Sequence, residues 1–243
     1  VQGDFGLSYR YAGTPVTEII ADGLLISPVL AAAALALALP VGAIAGSFAA
    51  VRRNSAADVG VVLMLVLGLS VPNFAIATIL VFLLSVKLGL LPVAGWGSLS
   101  QAVLPVVVLA LPTAAYIARL SRTFMLEVLQ QDYIRTARAK GLSERIVIYR
   151  HAFRNTMVPV VTSAGITLGA LLSNAFVVET IFNIPGLGRL AIDSIFARDY
   201  PVAMAIVILF TFLFVLINFM VDLAYILIDP RIRASVVARG GRA

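Results

Sequence analysis

His151 is the only histidine among 243 residues, and cysteine is absent. Thiolate nucleophiles, disulfides and His- or Cys-rich metal sites are therefore excluded within one chain. There is no HExxH for zinc hydrolysis and no GxxxxGK[ST] loop to cradle a nucleotide. His151 lies in a polar loop, so no Ser–His pair can be built inside an apolar segment. Asp58, Lys87, Glu179 and Asp222 lie near the ends of apolar stretches, whereas ion-driven carriers hold such charges at depth. What remains is non-covalent chemistry: a passive conduit whose energy comes from another polypeptide. The other transport reading, a secondary transporter or channel, would be marked by a charge in mid-span. A membrane-embedded enzyme would need a nucleophile–base pair that the sequence lacks.

The residues best spaced for work lie in a polar stretch over 127–156, too long for a simple connector. Good helix formers run to Lys140, and Gly141 follows, as at a helix end. Ser143 can cap a second helix, with Glu144 in its first turn. Ile146, Tyr149 and Phe153, at i, i+3 and i+7, form one apolar stripe flanked by Arg145, Arg150 and Arg154. The expectation is two short helices, broken at a glycine and held between two spans. Such a helix either lies on anionic lipid or docks into a partner, and periodicity does not separate the two.

The elements that must position this loop are membrane spans. Apolar residues make up 61% of the chain and charged residues 12%, against roughly 45–50% and 25% in soluble domains. That excludes a soluble enzyme, a disordered chain and a nucleic-acid reader, and the net charge of +6 sits between apolar runs. Five stretches are long enough to cross a bilayer: Gly23–Val51, Val59–Val86, Ala102–Leu120, Met157–Val178 and Val202–Ile228. The third carries Pro105 and Pro112 and is short unless Arg119 and Arg122 snorkel. Fourteen of the eighteen basic residues fall in 52–54, 119–154 and the tail after Asp229, leaving Arg10, Lys87, Arg189 and Arg198. This bias places the C-terminus and the long loop in the cytoplasm and residues 1–22 outside. An external start without a signal peptide implies an upstream helix, hence six spans in the full protein. Gly42 with Gly46, and Gly165 with Gly169, are spaced for close helix packing, within the bundle or at a subunit seam. Pro72, Asn73 and Asn174 sit at depth, lining a pathway or satisfying local backbone.

The run Asp132-Tyr-Ile-Arg-Thr-Ala-Arg-Ala-Lys-Gly-Leu142, followed by Arg150-His-Ala-Phe-Arg-Asn155 and Pro159, resembles the cytoplasmic signature loop of ABC-importer permeases of the oligopeptide/dipeptide/nickel branch. The resemblance continues in Gly3–Ser8, Ser70-Val-Pro-Asn-Phe74, Ser85–Gly89 with Leu91-Pro92, Val178-Glu-Thr-Ile-Phe-Asn-Ile-Pro-Gly-Leu-Gly188, Ala197-Arg-Asp-Tyr-Pro201 and Leu227-Ile-Asp-Pro-Arg-Ile-Arg233. Thr136-Ala137-Arg138 stands where the wider class carries Glu-Ala-Ala, and Arg154 where it carries proline. Both departures mark the peptide branch.

The resemblance implies an all-α helix bundle of the type I ABC importer class, a permease over 23–233 with a cytoplasmic tail over 234–243. It implies a bacterial inner-membrane importer for peptides or a related solute such as nickel. Few soft ligands favour peptide. A homologous second permease, two ATP-binding subunits and an external solute-binding protein would complete it, with ATP and Mg on the partners and no cofactor or metal in this chain. Ala137, Gly141, Leu142, Ser143, Glu144, Arg145, Ile146, Tyr149, Arg150, His151, Phe153 and Arg154 would couple to the ATPase. Ile146, Tyr149 and Phe153 would be buried in its groove or against the chain's own spans. Within an external loop over 179–200, Glu179, Asn183, Pro185, Gly186, Arg198 and Asp199 would meet the binding protein.

Overall fold

The computed structural model describes residues 5–228; the 234–243 tail, the basic residues after Asp229 and part of the first and last landmarks lie outside these. All the regular elements among the described residues are helices, apart from an isolated β-bridge between Leu7 and Pro15. A short α1 (Val16–Ala21) leads into α2 (Ile26–Val51), then α3 (Ala56–Ser70) and α4 (Asn73–Leu80), which continues as π-helical turns over Val81–Lys87. After a loop come α5 (Leu99–Leu129), α6 (Asp132–Ala139), α7 (Glu144–Ile146), π-helical turns over Val147–Phe153, and α8 (Arg154–Ile181). The last two are α9 (Leu187–Phe196) and α10 (Tyr200–Ile228).

Four long apolar helical stretches can each cross a membrane, and a fifth crossing is possible through α3 and α4. That second expected span is not straight. Its two halves meet at 105°. Val71, immediately before a proline, is held extended at φ −85°, ψ 123°, and Pro72 supplies no N–H to carry the helix on. The third span is longer than its apolar core suggests. It runs unbroken through Pro105 and Pro112 from a capping box at Ser98 and Gln101. Arg122 does not snorkel; it makes a bidentate pair with Asp58 of α3, at 2.8 and 2.9 Å.

α2 and α5 form the most extensive helix contact. One face of α2 is built of small buried residues, Ala31, Ala34, Ala38, Gly42, Gly46 and Ala49. With no hydrophobic drive between helices in lipid, close approach and packing hold them. A Cβ on Gly42 would lie 2.6 Å from the Ala114 carbonyl oxygen, and one on Gly46 only 2.0 Å from that of Ala118. Gly42 and Gly46 thus pack inside this bundle, and Gly169 does the same against Phe214 of α10. Around this joint lies the main core of Leu30, Leu104, Ile117 and Leu171. A second cluster, at one end, joins Ala50, Met125, Ile134, Ala137, Val147 and Ala152.

The described basic residues of 52–54 and 119–154 gather at this second end, and Arg10, Lys87, Arg189 and Arg198 at the opposite one. Gly46→Ala should lower the thermal unfolding midpoint of the detergent-purified protein, at a cost of about 1–3 kcal/mol. Gly60→Ala in α3, where a Cβ meets nothing within 4 Å, should be neutral or slightly stabilising. Equal midpoints for both variants would refute the α2–α5 constraint.

Candidate functional site at the basic end

α6 ends in a Schellman turn. The N–H of Gly141 bonds to Arg138 O at 2.9 Å and that of Leu142 to Ala137 O at 3.3 Å. Gly141 has φ +76°, the left-handed conformation that glycine adopts without a steric cost. Across the turn Arg138 clamps Glu144 in a bidentate pair, Nη2–Oε1 2.6 Å and Nε–Oε2 3.1 Å. Asn155 Nδ2 donates to the Tyr133 hydroxyl at 2.9 Å and ties α6 to the start of α8. The two helices are therefore held at a fixed angle, by backbone and side-chain bonds together.

Three expectations for this loop change. Ser143 takes the extended N-cap conformation, but its side chain makes no capping bond; the site is exposed, where water can serve the free donors. The second helix is not a separate piece between spans. It runs on into α8, giving one helical rod over Glu144–Ile181. The inward residues are not Ile146, Tyr149 and Phe153. The π-helical turns, bonded i→i+5, are wider than α-helical ones and shift the faces; Val147 and Ala152 face the bundle and are fully buried. Ile146 and Tyr149 are left 43% and 68% exposed, which rules out burial against the chain's own spans. Phe153 is half-buried and, with Tyr149, borders a cavity of about 470 Å³ against Ile44, Phe48 and Val51 of α2. Ala137 is buried in the end cluster and anchors the loop from within. Leu142, Glu144, Arg145, Arg150 and Arg154 are exposed and His151 is half-buried. The outcome is a rigid knuckle with an apolar crest and a basic flank.

At the opposite end, three of the six residues expected to meet a binding protein, Glu179, Gly186 and Asp199, are buried and support the structure from within. Glu179 is fully buried near the end of α8. Its Oε2 accepts from the N–H of Gly188 at 2.8 Å and of Arg189 at 3.1 Å, while Ser27 Oγ accepts from Leu187 N–H at 3.0 Å. Together they satisfy the free donors at the start of α9. A Cβ on Gly186 would lie 2.4 Å from the Glu179 carboxylate, so that glycine is buried to let the loop close. Asp199 is buried too, and accepts from Ser8 Oγ and the N–H of Tyr9 and Arg10. Burial works to raise the Asp199 carboxyl, but the bonds from Ser8, Tyr9, Arg10 and Val202 outweigh it and hold it below the ordinary value. Asn183, Pro185 and Arg198 remain exposed.

Of the three residues expected to line a pathway or satisfy local backbone, Pro72 and Asn73 lie at the break between α3 and α4, as N-cap and first residue of α4. Asn174 lies elsewhere, in a groove between α5 and α8 with Thr113, Tyr116, Ser163 and Thr167. Those four were missed. On α8 the signal is the spacing of Ser163, Thr167 and Asn174 along one face, in a helix that also carries Thr162 and Ser173; Thr113 and Tyr116 of α5 lie three residues apart. Among the described residues no cluster could hold a metal ion.

Residues 38–234 match the family described as the binding-protein-dependent transport system inner membrane component. The chain is 44% identical over 230 residues to the dipeptide transport system permease protein of Bacillus subtilis (strain 168), covering 95% of this chain and 75% of that one. It is 45% identical over 233 residues to the glutathione transport system permease protein of Escherichia coli (strain K12), covering 96% and 76%. In fold it is similar to a chain of the MetNI methionine ABC transporter solved in inward-facing conformations, with TM-score 0.75, 19% identity, and coverage of 88% of this chain and 97% of that chain. With a helix bundle of the type I importer kind and a family match over most of its length, this multi-pass membrane protein belongs to the inner-membrane permease components of binding-protein-dependent transport systems.

Proposed function

We propose that this chain forms one transmembrane half of an ATP-driven importer that carries peptides across the bacterial inner membrane, and that separate subunits hydrolyse the ATP. The observation that carries this reading is the knuckle over 141–153: Ile146 and Tyr149 stand exposed while Val147 and Ala152 root the same turns in the bundle. An apolar crest on a braced helix suits a groove in a soluble partner better than a lipid surface, where the helix would be free to rotate. The coupling residues are then Leu142, Ile146 and Tyr149, with Arg145, Arg150 and Arg154 facing acidic groups of that partner. Two such partners carry ATP and Mg, a second permease closes the pathway, and an external solute-binding protein delivers cargo near Asn183, Pro185 and Arg198. Peptide as cargo follows from the relatives' names and from the scarcity of metal ligands here. The basic end, with the C-terminus, is cytoplasmic, by the fourteen-to-four division of basic residues.

Two experiments test this. Single cysteines at Leu99 and Ser143, both exposed, should label from opposite faces of the membrane in this cysteine-free background; labelling of both from outside would sink the orientation. Gly141→Val puts a β-branched residue at φ +76°, strained even though a Cβ there has open space. The complex should still assemble, yet lose binding-protein-stimulated ATP turnover and uptake of a di- to pentapeptide mixture together. Tyr149→Asp, on an exposed site, should do the same without loss of thermal stability. Wild-type turnover and uptake in both variants would overturn coupling through this knuckle.

A further inference from the structure

The groove between α5 and α8 has a composition that a lipid-facing surface would not carry. Its cavity of about 370 Å³ is lined by Thr113 and Tyr116 near the middle of α5, and by Ser163, Thr167 and Asn174 along α8. That volume lies within the range of small-ligand sites, about 300–1,000 Å³. Polar side chains at mid-depth are expensive beside hydrocarbon and are found facing water, cargo or another protein segment. On α10 the exposed side chains Val207, Ile208, Phe212 and Val215 are apolar and Thr211 is the single exposed hydroxyl among them, whereas the groove gathers five polar side chains.

The hydrogen-bond inventory of the groove is asymmetric. Thr113 donates its hydroxyl proton to Leu109 O at 3.0 Å, Ser163 to Pro159 O at 3.0 Å, and Thr167 to Ser163 O at 2.8 Å. Each has spent its single proton within its own helix and keeps lone pairs to offer. Pro112, also in the lining, removes the N–H that would have bonded the Val108 carbonyl. Tyr116 and Asn174 can donate or accept. No lining residue is ionised, and the nearest charge given for the lining is the Arg119 guanidinium, 5.5 Å from the centre of the Tyr116 ring. The chemistry complementary to such a stripe is a chain of N–H donors with variable substituents.

We propose that this groove is the cargo face of the chain, and that it takes the peptide main chain by accepting hydrogen bonds from its N–H groups. The proposal rests on the importer reading above and adds the site and the group recognised. Ser163, Thr167 and Asn174 lie at i, i+4 and i+11 and form a ladder along α8, so a moving peptide exchanges one acceptor for the next.

The test uses the whole complex in vesicles. Cysteine at Thr167 or Asn174 should react with a membrane-impermeant cationic thiosulfonate, and the reaction should block peptide uptake. Cysteine at Val207 of α10 should stay unlabelled. Thr167→Val keeps the shape and removes the acceptor; uptake of the peptide mixture per ATP hydrolysed should fall about fivefold, the worth of one net hydrogen bond. If Thr167 and Asn174 cysteines stay unlabelled with and without ATP, in a complex that still hydrolyses ATP on adding loaded binding protein, the groove is sealed against another subunit and the proposal fails. Labelling with unchanged uptake per ATP in Thr167→Val overturns main-chain recognition. A complex without stimulated ATP turnover refutes the importer reading instead, and labelling still decides whether the groove is open to water.

Discussion

The absence of two side chains, at Gly42 and Gly46, sets the distance between α2 and α5, and most of the bundle takes its position from that distance. α5 presents backbone carbonyls of Ala114 and Ala118 where any side chain on α2 would have to sit. Once the two helices touch, their ends at Ala50 and Met125 come together and form the floor on which α6 and the π-helical turns rest. The same approach leaves the other flank of α5, with Thr113 and Tyr116, to face α8. The Arg122–Asp58 pair, with Asp58 nearly buried, fixes α3 to this frame at the basic end. The Arg122 side chain keeps 27% of its surface exposed, so the bidentate geometry, and not deep burial of both charges, makes this an anchor.

The helical rod over Glu144–Ile181 connects the two ends of the molecule. It is 38 residues long, roughly 55 Å at α-helical rise. Its first turns carry the exposed crest, and its last turn carries Glu179, which holds the start of α9. Neither end is a flexible loop: one is closed by a Schellman turn and an ion pair, the other by a buried carboxylate and two backbone N–H groups. The middle of the rod carries the polar ladder. A single helical backbone, with π-helical turns near its start and Pro159 within it, thus links the crest, the groove and the far loop.

Much of this was legible in the sequence, for reasons that are local. Gly141 announced a helix end, and its positive φ follows from what glycine permits; charge-free apolar runs announced the spans. What was not legible depended on register or on distant partners. The α-helical period selected Ile146, Tyr149 and Phe153 as one face, but a π-helical turn shifts the inward set to Val147 and Ala152, and composition does not reveal that change of winding. Ser70-Val-Pro-Asn lies inside a long apolar run, and hydropathy averages over the proline that bends it by 105°. Glu179 and Asp199 look like surface charges beside glycine- and proline-rich loops. Their burial becomes visible only when the N–H groups they accept from are placed beside them, 9 and 190 residues away.

That last separation has a consequence for how the protein is made. Ser8 and Tyr9 leave the ribosome long before Asp199, the carboxylate that holds them, has been synthesised. At roughly 5–20 residues per second, the 191 residues between Ser8 and Asp199 take on the order of 10–40 s. For that time the early segment has only its local bonds, Ser8 N–H to Thr14 O and Val16 N–H to Gly6 O, to hold its turn. Its docking is among the last contacts to form, after the helices up to α9 have emerged. A chain interrupted before that corner lacks the one carboxylate that accepts from Ser8, Tyr9 and Arg10, and so cannot dock the segment.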